Sequence, residues 1–291
     1  MKKELIDLDQ AVINALNLFI KEGIPKLETI NYKRPLILGS ENAAITGKII
    51  FEDKDAVFSD VSNYKKDLKT KNIDGAVLIS ASGEKSAPGI AKFLKKKKIK
   101  LVLFTNNPKS EASEYADKVL VFPKNPEPYT YNTSTYMGMI LAKTKENPKK
   151  IMQFINNKIK APDLTPYDSY YFIIPDKLDN IKDMLLTKFD ELFGSKISAR
   201  AFTLEKTKHA KTIIPSEKEL FVSLGTKNNT FGKNRLELPL PKNANYGAIM
   251  AIGYYFIGQI QKQNPPWFKQ NIEKYVKKTS KIFNDNLKLI G

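Results

Sequence analysis

Residues Gly75 to Leu94 open with an unbroken apolar run, Gly75-Ala-Val-Leu-Ile79, which empties into Ser80-Ala-Ser-Gly83 and then into a helical pattern starting at Pro88. A run this short and this apolar, closed by a turn and followed at once by helical spacing, predicts a buried strand of a parallel sheet joined to its crossover helix. The turn then lies at the strand's carboxyl end and faces a helix N-terminus, where backbone N–H groups lack intrahelical partners. Ser80, Ser82, Gly83 and Lys85 stand there, a setting suited to an anion and most often a phosphate. The plainer alternative is a connecting loop whose serine caps the helix.

The same alternation runs along the chain. Leu5 to Ile20 has helical spacing, and Pro35-Leu-Ile-Leu-Gly39 predicts a strand that ends at Gly39-Ser40 and leads into a helix over Glu41 to Ile50. Further strands are predicted over Ala56–Val61, Lys100–Thr105 and Lys118–Pro123. A long helix over Tyr131–Ile159 runs into Ala161-Pro-Asp-Leu-Thr-Pro166, whose paired prolines mark a linker. Beyond it come strands over Ser169–Pro175, Glu219–Leu224 and Arg235–Leu240, with helices over Leu178–Leu192, Asn245–Gln263 and Phe268–Lys281. The fold class expected is α/β, parallel sheets flanked by helices, in two domains, 1–161 and 162–291, with ligands at strand carboxyl ends.

Composition narrows the chemistry. The chain has no cysteine and one histidine, which rules out disulfides, thiolate nucleophiles and Cys- or His-cluster metal sites; neither a metal nor a cofactor is expected. The longest apolar stretch, Gly247–Ile260, falls short of a bilayer span, and Met1–Asp7 mixes acids with apolar residues. A cytoplasmic protein without a membrane partner is therefore expected. The net charge of +17 invites a nucleic-acid reading, but 45 of the 48 basic residues are lysine and are spread along the chain. Lysine reads bases poorly, so no nucleic-acid partner is expected, although such a charge would concentrate small anionic metabolites.

Several segments resemble the double sugar isomerase (SIS) domain family. Leu36-Ile-Leu-Gly-Ser40 resembles its first strand and glycine–serine loop, Ile79-Ser-Ala-Ser-Gly83 its phosphate loop, and Phe104-Thr-Asn-Asn-Pro-Lys-Ser110 its next strand and turn. Glu127 to Tyr136 resembles its Glu then Ser-Thr helix opening, Lys188-Phe-Asp-Glu191 its Lys-x-x-Glu helix, and Lys208-His209-Ala210 its Lys-His-Gly turn. The resemblance implies two flavodoxin-like subdomains and a homodimer with a shared active site that takes a phosphosugar. It includes archaeal phosphoglucose/phosphomannose isomerases and the isomerase half of glucosamine-6-phosphate synthase. The activity implied is metal-free aldose–ketose isomerisation of a hexose 6-phosphate through an enediolate, with deamination of glucosamine 6-phosphate or phosphosugar binding alone as alternatives. Two departures stand out: Lys85 occupies the place where the family has threonine, and the spacing from Glu191 to His209 is about two residues long.

Isomerisation needs a base, a group that opens the ring and a stabiliser of the oxyanion. Glu191 and His209 take the first two roles by resemblance, and a tail lysine, Lys277 or Lys278 with Lys278 preferred, closes the site. Gly39, Ser40, Ser80, Ser82, Gly83, Lys85, Thr133 and Ser134 would bind substrate. On residue chemistry alone Glu191 is equally a solvated helix carboxylate and His209 a surface histidine, while Thr133 and Ser134 hydrogen-bond sugar hydroxyls or cap their turn. Arg200 is a phosphate clamp or a surface ion pair.

Overall fold

The computed structural model describes residues 5–70, 72–210, 213–283 and 287–290; residues 1–4, on which the reading of the amino terminus partly rests, lie outside it. Among the described residues nine strands form two sheets in which all ladder pairings are parallel. The first sheet takes β1 (Pro35–Leu38), β2 (Val57–Ser59), β3 (Gly75–Ile79), β4 (Leu101–Thr105) and β5 (Lys118–Val121) in the order β2-β1-β3-β4-β5. Its three central strands are buried along their whole length, which is why they read as unbroken apolar runs rather than alternating ones. The second takes β6 (Ser169–Ile174), β7 (Ser198–Thr203), β8 (Glu219–Leu224) and β9 (Asn234–Leu238) in the order β7-β6-β8-β9. Both are flavodoxin-like orders, and in each the chain reverses direction between the first and third strands.

Helices α1 (Leu8–Glu22), α2 (Asn42–Ile50), α3 (Tyr64–Thr70), α4 (Ala87–Lys96), α5 (Thr133–Thr144), α6 (Pro148–Lys158), α7 (Lys182–Phe193), α8 (Leu204–Ala210), α9 (Tyr246–Gln263) and α10 (Trp267–Phe283) cover these sheets. One apolar cluster runs from Ile37, Val77 and Phe104 of the first sheet through α1, α5 and α9 to Tyr170, Phe172 and Val222 of the second. Helix α9 is buried almost all round, as a helix between two layers must be. No helix among the described residues is long and apolar enough to cross a membrane.

The predicted helix over Tyr131–Ile159 is two helices. Lys145 adopts a left-handed backbone at φ 59° and ends α5, the Glu146 carboxylate accepts from the N–H groups of Asn245 (2.7 Å) and Gly247 (2.6 Å) at the start of α9, and Asn147 and Pro148 open α6. The break exists because a carboxylate at that point caps another helix. Strand β7 is also absent from the sequence reading; its burial is irregular, so its polar residues Ser198 and Arg200 hide the strand period. Adjacent parallel strands β8 and β9 are joined without a helix. Arg235 holds that loop by donating to the carbonyls of Asn229, Thr230, Phe231 and Gly232.

Candidate functional site

A cleft of about 670 Å³ opens at the carboxyl ends of β1 and β3, the point of the first sheet where the strand order reverses and where ligands of such sheets bind. Gly39 and Ser40 follow β1 into it, and Ser80, Ser82 and Lys85 follow β3. Gly39 lets α2 approach the strand end, since a Cβ there would lie 2.6 Å from the Ala44 nitrogen. The loop after β3 is braced by its own serines: the Gly83 N–H donates to Ser80 Oγ (3.1 Å) and the Glu84 N–H to Ser82 Oγ (3.3 Å). Each hydroxyl has thereby used an acceptor lone pair and can still donate to an anion. Helix α4 starts behind this loop with no side-chain cap from Ser86. The Ala87 N–H donates to the Glu84 carbonyl (3.2 Å) and Pro88 has none, so it is chiefly the helix dipole that favours negative charge at the loop.

Gly83 itself turns the loop. Its φ of 68° is left-handed, and a Cβ would lie 2.1 Å from Ser110 Oγ, on a residue that is buried. Gly83→Ala is expected to cost more than about 1 kcal/mol in a urea melt, whereas Gly89→Ala, in the open on α4, should stabilise by about 0.5–1 kcal/mol. Equal effects of the two changes would show that the loop is not constrained.

The opposite wall is made by the segment after β5. Lys124, Glu127, Pro128, Tyr129, Thr130 and Asn132 line it. Glu127 is buried and accepts from the N–H groups of Thr133 (2.7 Å) and Ser134 (2.8 Å) and from the Ser134 hydroxyl. Ser134 Oγ in turn accepts from the Asn125 N–H (2.9 Å). Thr133 and Ser134 are thus fully buried beneath the wall, capping and bracing, and are not among the lining residues. Left-handed backbone concentrates here: Glu41 (φ 46°), Lys85 (φ 60°), Thr130 (φ 82°) and Asn132 (φ 47°) all line the cleft. For a β-branched residue such as Thr130 this is a strained conformation, of the kind that gathers at binding sites.

Behind Thr130 stands α7. The Lys188 ammonium is 0% exposed and donates to the Thr130 carbonyl (2.8 Å) and to Glu191 (2.5 Å), and it lies 5.9 Å from the ring centres of both Tyr131 and Tyr254. Glu191 keeps a quarter of its side-chain surface open, so it is a recessed carboxylate rather than a solvated one. Burial pushes its proton affinity above the usual glutamate range, Lys188 opposes that shift, and the nearby charge of Glu41 adds to it. Burial also raises the phenols of Tyr131, Tyr136 and Tyr254, which keeps them neutral donors around this acid.

Other predicted residues lie elsewhere. His209 sits on α8, 80% exposed, 3.5 Å from Glu205, and does not line the cleft of its own chain. Lys278 is exposed on α10 and does not line it either; the tail residues that do are Phe283, Leu287 and Lys288. The tail is pinned there by a single antiparallel bridge, Pro128 to Ile290, with the Tyr129 N–H donating to the Leu289 carbonyl (2.8 Å). Lys85 points its ammonium over the rings of Tyr129 (4.9 Å) and Phe283 (5.1 Å). Arg200 pairs with buried Glu219 (2.5 Å) and stacks on Tyr171 (4.8 Å), which makes it a structural ion pair of the second sheet. Glu41, Lys124, Lys188 and Lys288 escaped the choice of site residues; Lys188 alone had a sequence signal, its three-residue spacing from Glu191 on one helix face.

No protein-family model matches the chain, and no curated protein does. Solved structures match it in fold. Glucosamine-6-phosphate deaminase from Thermotoga maritima superposes with a TM-score of 0.63 at 16% identity, over 88% of this chain and 92% of that one. Tagatose-6-phosphate ketose/aldose isomerase from Escherichia coli gives 0.59 at 13% identity, over 89% of each chain. The C-terminal domain of glucosamine-fructose-6-phosphate aminotransferase from Francisella tularensis gives 0.58 at 15% identity, over 90% of this chain and 94% of that one.

Proposed function

We propose that this protein is an SIS-type phosphosugar enzyme that isomerises a hexose 6-phosphate. The observation that carries this reading is a serine loop in the cleft at the start of α4, suited to a phosphoryl group, with a recessed, proton-avid Glu191 set behind the opposite wall. Glu191 lies outside the lining itself and is tied to lining residue Thr130 through the fully buried Lys188 ammonium. Gly39, Ser40, Ser80, Ser82, Gly83 and Lys85 hold the phosphoryl end. The Glu191 carboxylate takes the proton from C2 of the open-chain aldose as the C1 carbonyl becomes an enediolate, and returns it to C1 while the O2 hydroxyl proton passes to O1, as the ketose forms. In this reading Lys288, which lines the cleft, takes the tail-lysine role in place of Lys278. His209 reaches the site from a second copy of the chain, a placement supported by its exposure and by the exposed Ile213 and Ile214 close after it in sequence. The likeness to the Thermotoga maritima deaminase favours a second reading, deamination of glucosamine 6-phosphate with the same groups.

Assays of ketose formation from glucose 6-phosphate and mannose 6-phosphate, and of ammonia release from glucosamine 6-phosphate, separate the two. Co-expressed Glu191→Gln and His209→Asn subunits should regain activity that neither has alone, because one of the two sites in the mixed dimer then keeps both groups. A chain that binds fructose 6-phosphate with no turnover in any assay would leave binding alone as its function.

A further inference from the structure

Three lysines from separate segments line the cleft: Lys85 after β3, Lys124 after β5 and Lys288 in the tail. Lys85 is engaged, donating to the Tyr129 hydroxyl and lying over two rings. Lys124 and Lys288 are different, for among the described residues neither has a carboxylate within ion-pair distance. They are near enough that the charge of Lys288 adds to desolvation in lowering the proton affinity of Lys124. The acid that Lys124 feels is Glu127, whose carboxylate is already committed to three donors at the start of α5. The other carboxylates of the lining sit on different segments, Glu41 after β1 and Glu84 on the serine loop beside Asn107 (3.5 Å).

Both residues are exposed at the mouth of the cleft, where two unpaired like charges repel, a cost that an incoming anion relieves. The serine loop already provides for one phosphoryl group, and a cleft of about 670 Å³ is of the size that takes drug-sized ligands. We propose that the ligand is a doubly anionic phosphosugar, its phosphoryl group on the Ser80–Ser86 loop and a second anionic group, carboxylate or phosphoryl, between Lys124 and Lys288. This rests on the phosphosugar reading above and names its substrate class.

The test is calorimetric titration of the intact protein, at one ionic strength, with fructose 6-phosphate, 6-phosphogluconate and fructose 1,6-bisphosphate. At least one of the two doubly anionic ligands should bind about tenfold or more tighter than fructose 6-phosphate, as one charge-assisted contact predicts, and which of them gains distinguishes carboxylate from phosphoryl. Lys124→Met and Lys288→Met should each bring that ratio close to one, while Lys96→Met on the far end of α4 should leave it unchanged. Binding of fructose 6-phosphate with no preference for either, or a preference that survives both variants or is lost equally in Lys96→Met, overturns the proposal. Failure of all three to bind overturns the phosphosugar reading itself.

Discussion

Lys188→Met should lose about 3–5 kcal/mol of stability at pH 8 and distinctly less at pH 5. The ammonium it removes is fully buried and holds two oxygens, the Thr130 carbonyl and the Glu191 carboxylate. Deleting one partner of such a pair leaves the other charge uncompensated, which typically costs about 3–5 kcal/mol. The pH dependence follows from Glu191, whose proton affinity burial raises and Lys188 restrains; without Lys188 it rises further. A carboxyl with a folded value above its unfolded one, about 4.3, favours the fold while protonated, below the unfolded value, and that contribution is lost as pH climbs through the folded value. Urea melts at both pH values should therefore show the deficit of the variant growing towards pH 8. The double variant Lys188→Met/Glu191→Gln, with no charge left to strand, should recover part of it at pH 8. A deficit equal at both pH values would mean that Glu191 is not the group left unpaired.

The central strands of the first sheet were legible because burial on both faces writes them as plain apolar runs, and the runs of β1 and β3 end at the Gly39-Ser40 and Ser80 that enter the cleft. The reversal of strand order between β1 and β3 placed the serine loop at the one crevice of that sheet where two loops part. Less could be read where a side chain serves a distant element. Glu146 breaks the long helix predicted over Tyr131–Ile159 in order to cap α9, and nothing local announces a partner some hundred residues away. Thr133 and Ser134 have the hydroxyls of a sugar site, yet the Ser134 hydroxyl bonds Glu127, and the Thr133 hydroxyl is buried with no partner while its N–H is the group that meets Glu127. Lysine carried the least information. With 45 of them in the chain, Lys188 is set apart only by its spacing from Glu191, and the unpaired Lys124 and Lys288 do not differ in sequence from the solvated majority, so that only packing tells them apart.

Glu191→Gln should lower turnover by about 10²–10⁴, the usual contribution of a positioned general base, with a smaller change in KM because the phosphoryl end binds at the far wall. The amide still accepts from Lys188, so a loss of fold need not accompany the loss of rate, and the melting curve of the variant checks this. A second readout concerns the protonation of the base. Only the carboxylate form can take the C2 proton, so the acid limb of the kcat profile should lie above the ordinary glutamate range, in the direction that burial shifts Glu191. Glu41 supplies part of that shift through its own charge. Glu41→Gln should therefore move the limb to lower pH, towards but not into the range of a solvated carboxyl, since burial is the larger cause. A limb that stays put in Glu41→Gln and persists in Glu191→Gln would assign the titration, and with it the proton transfer, to another group.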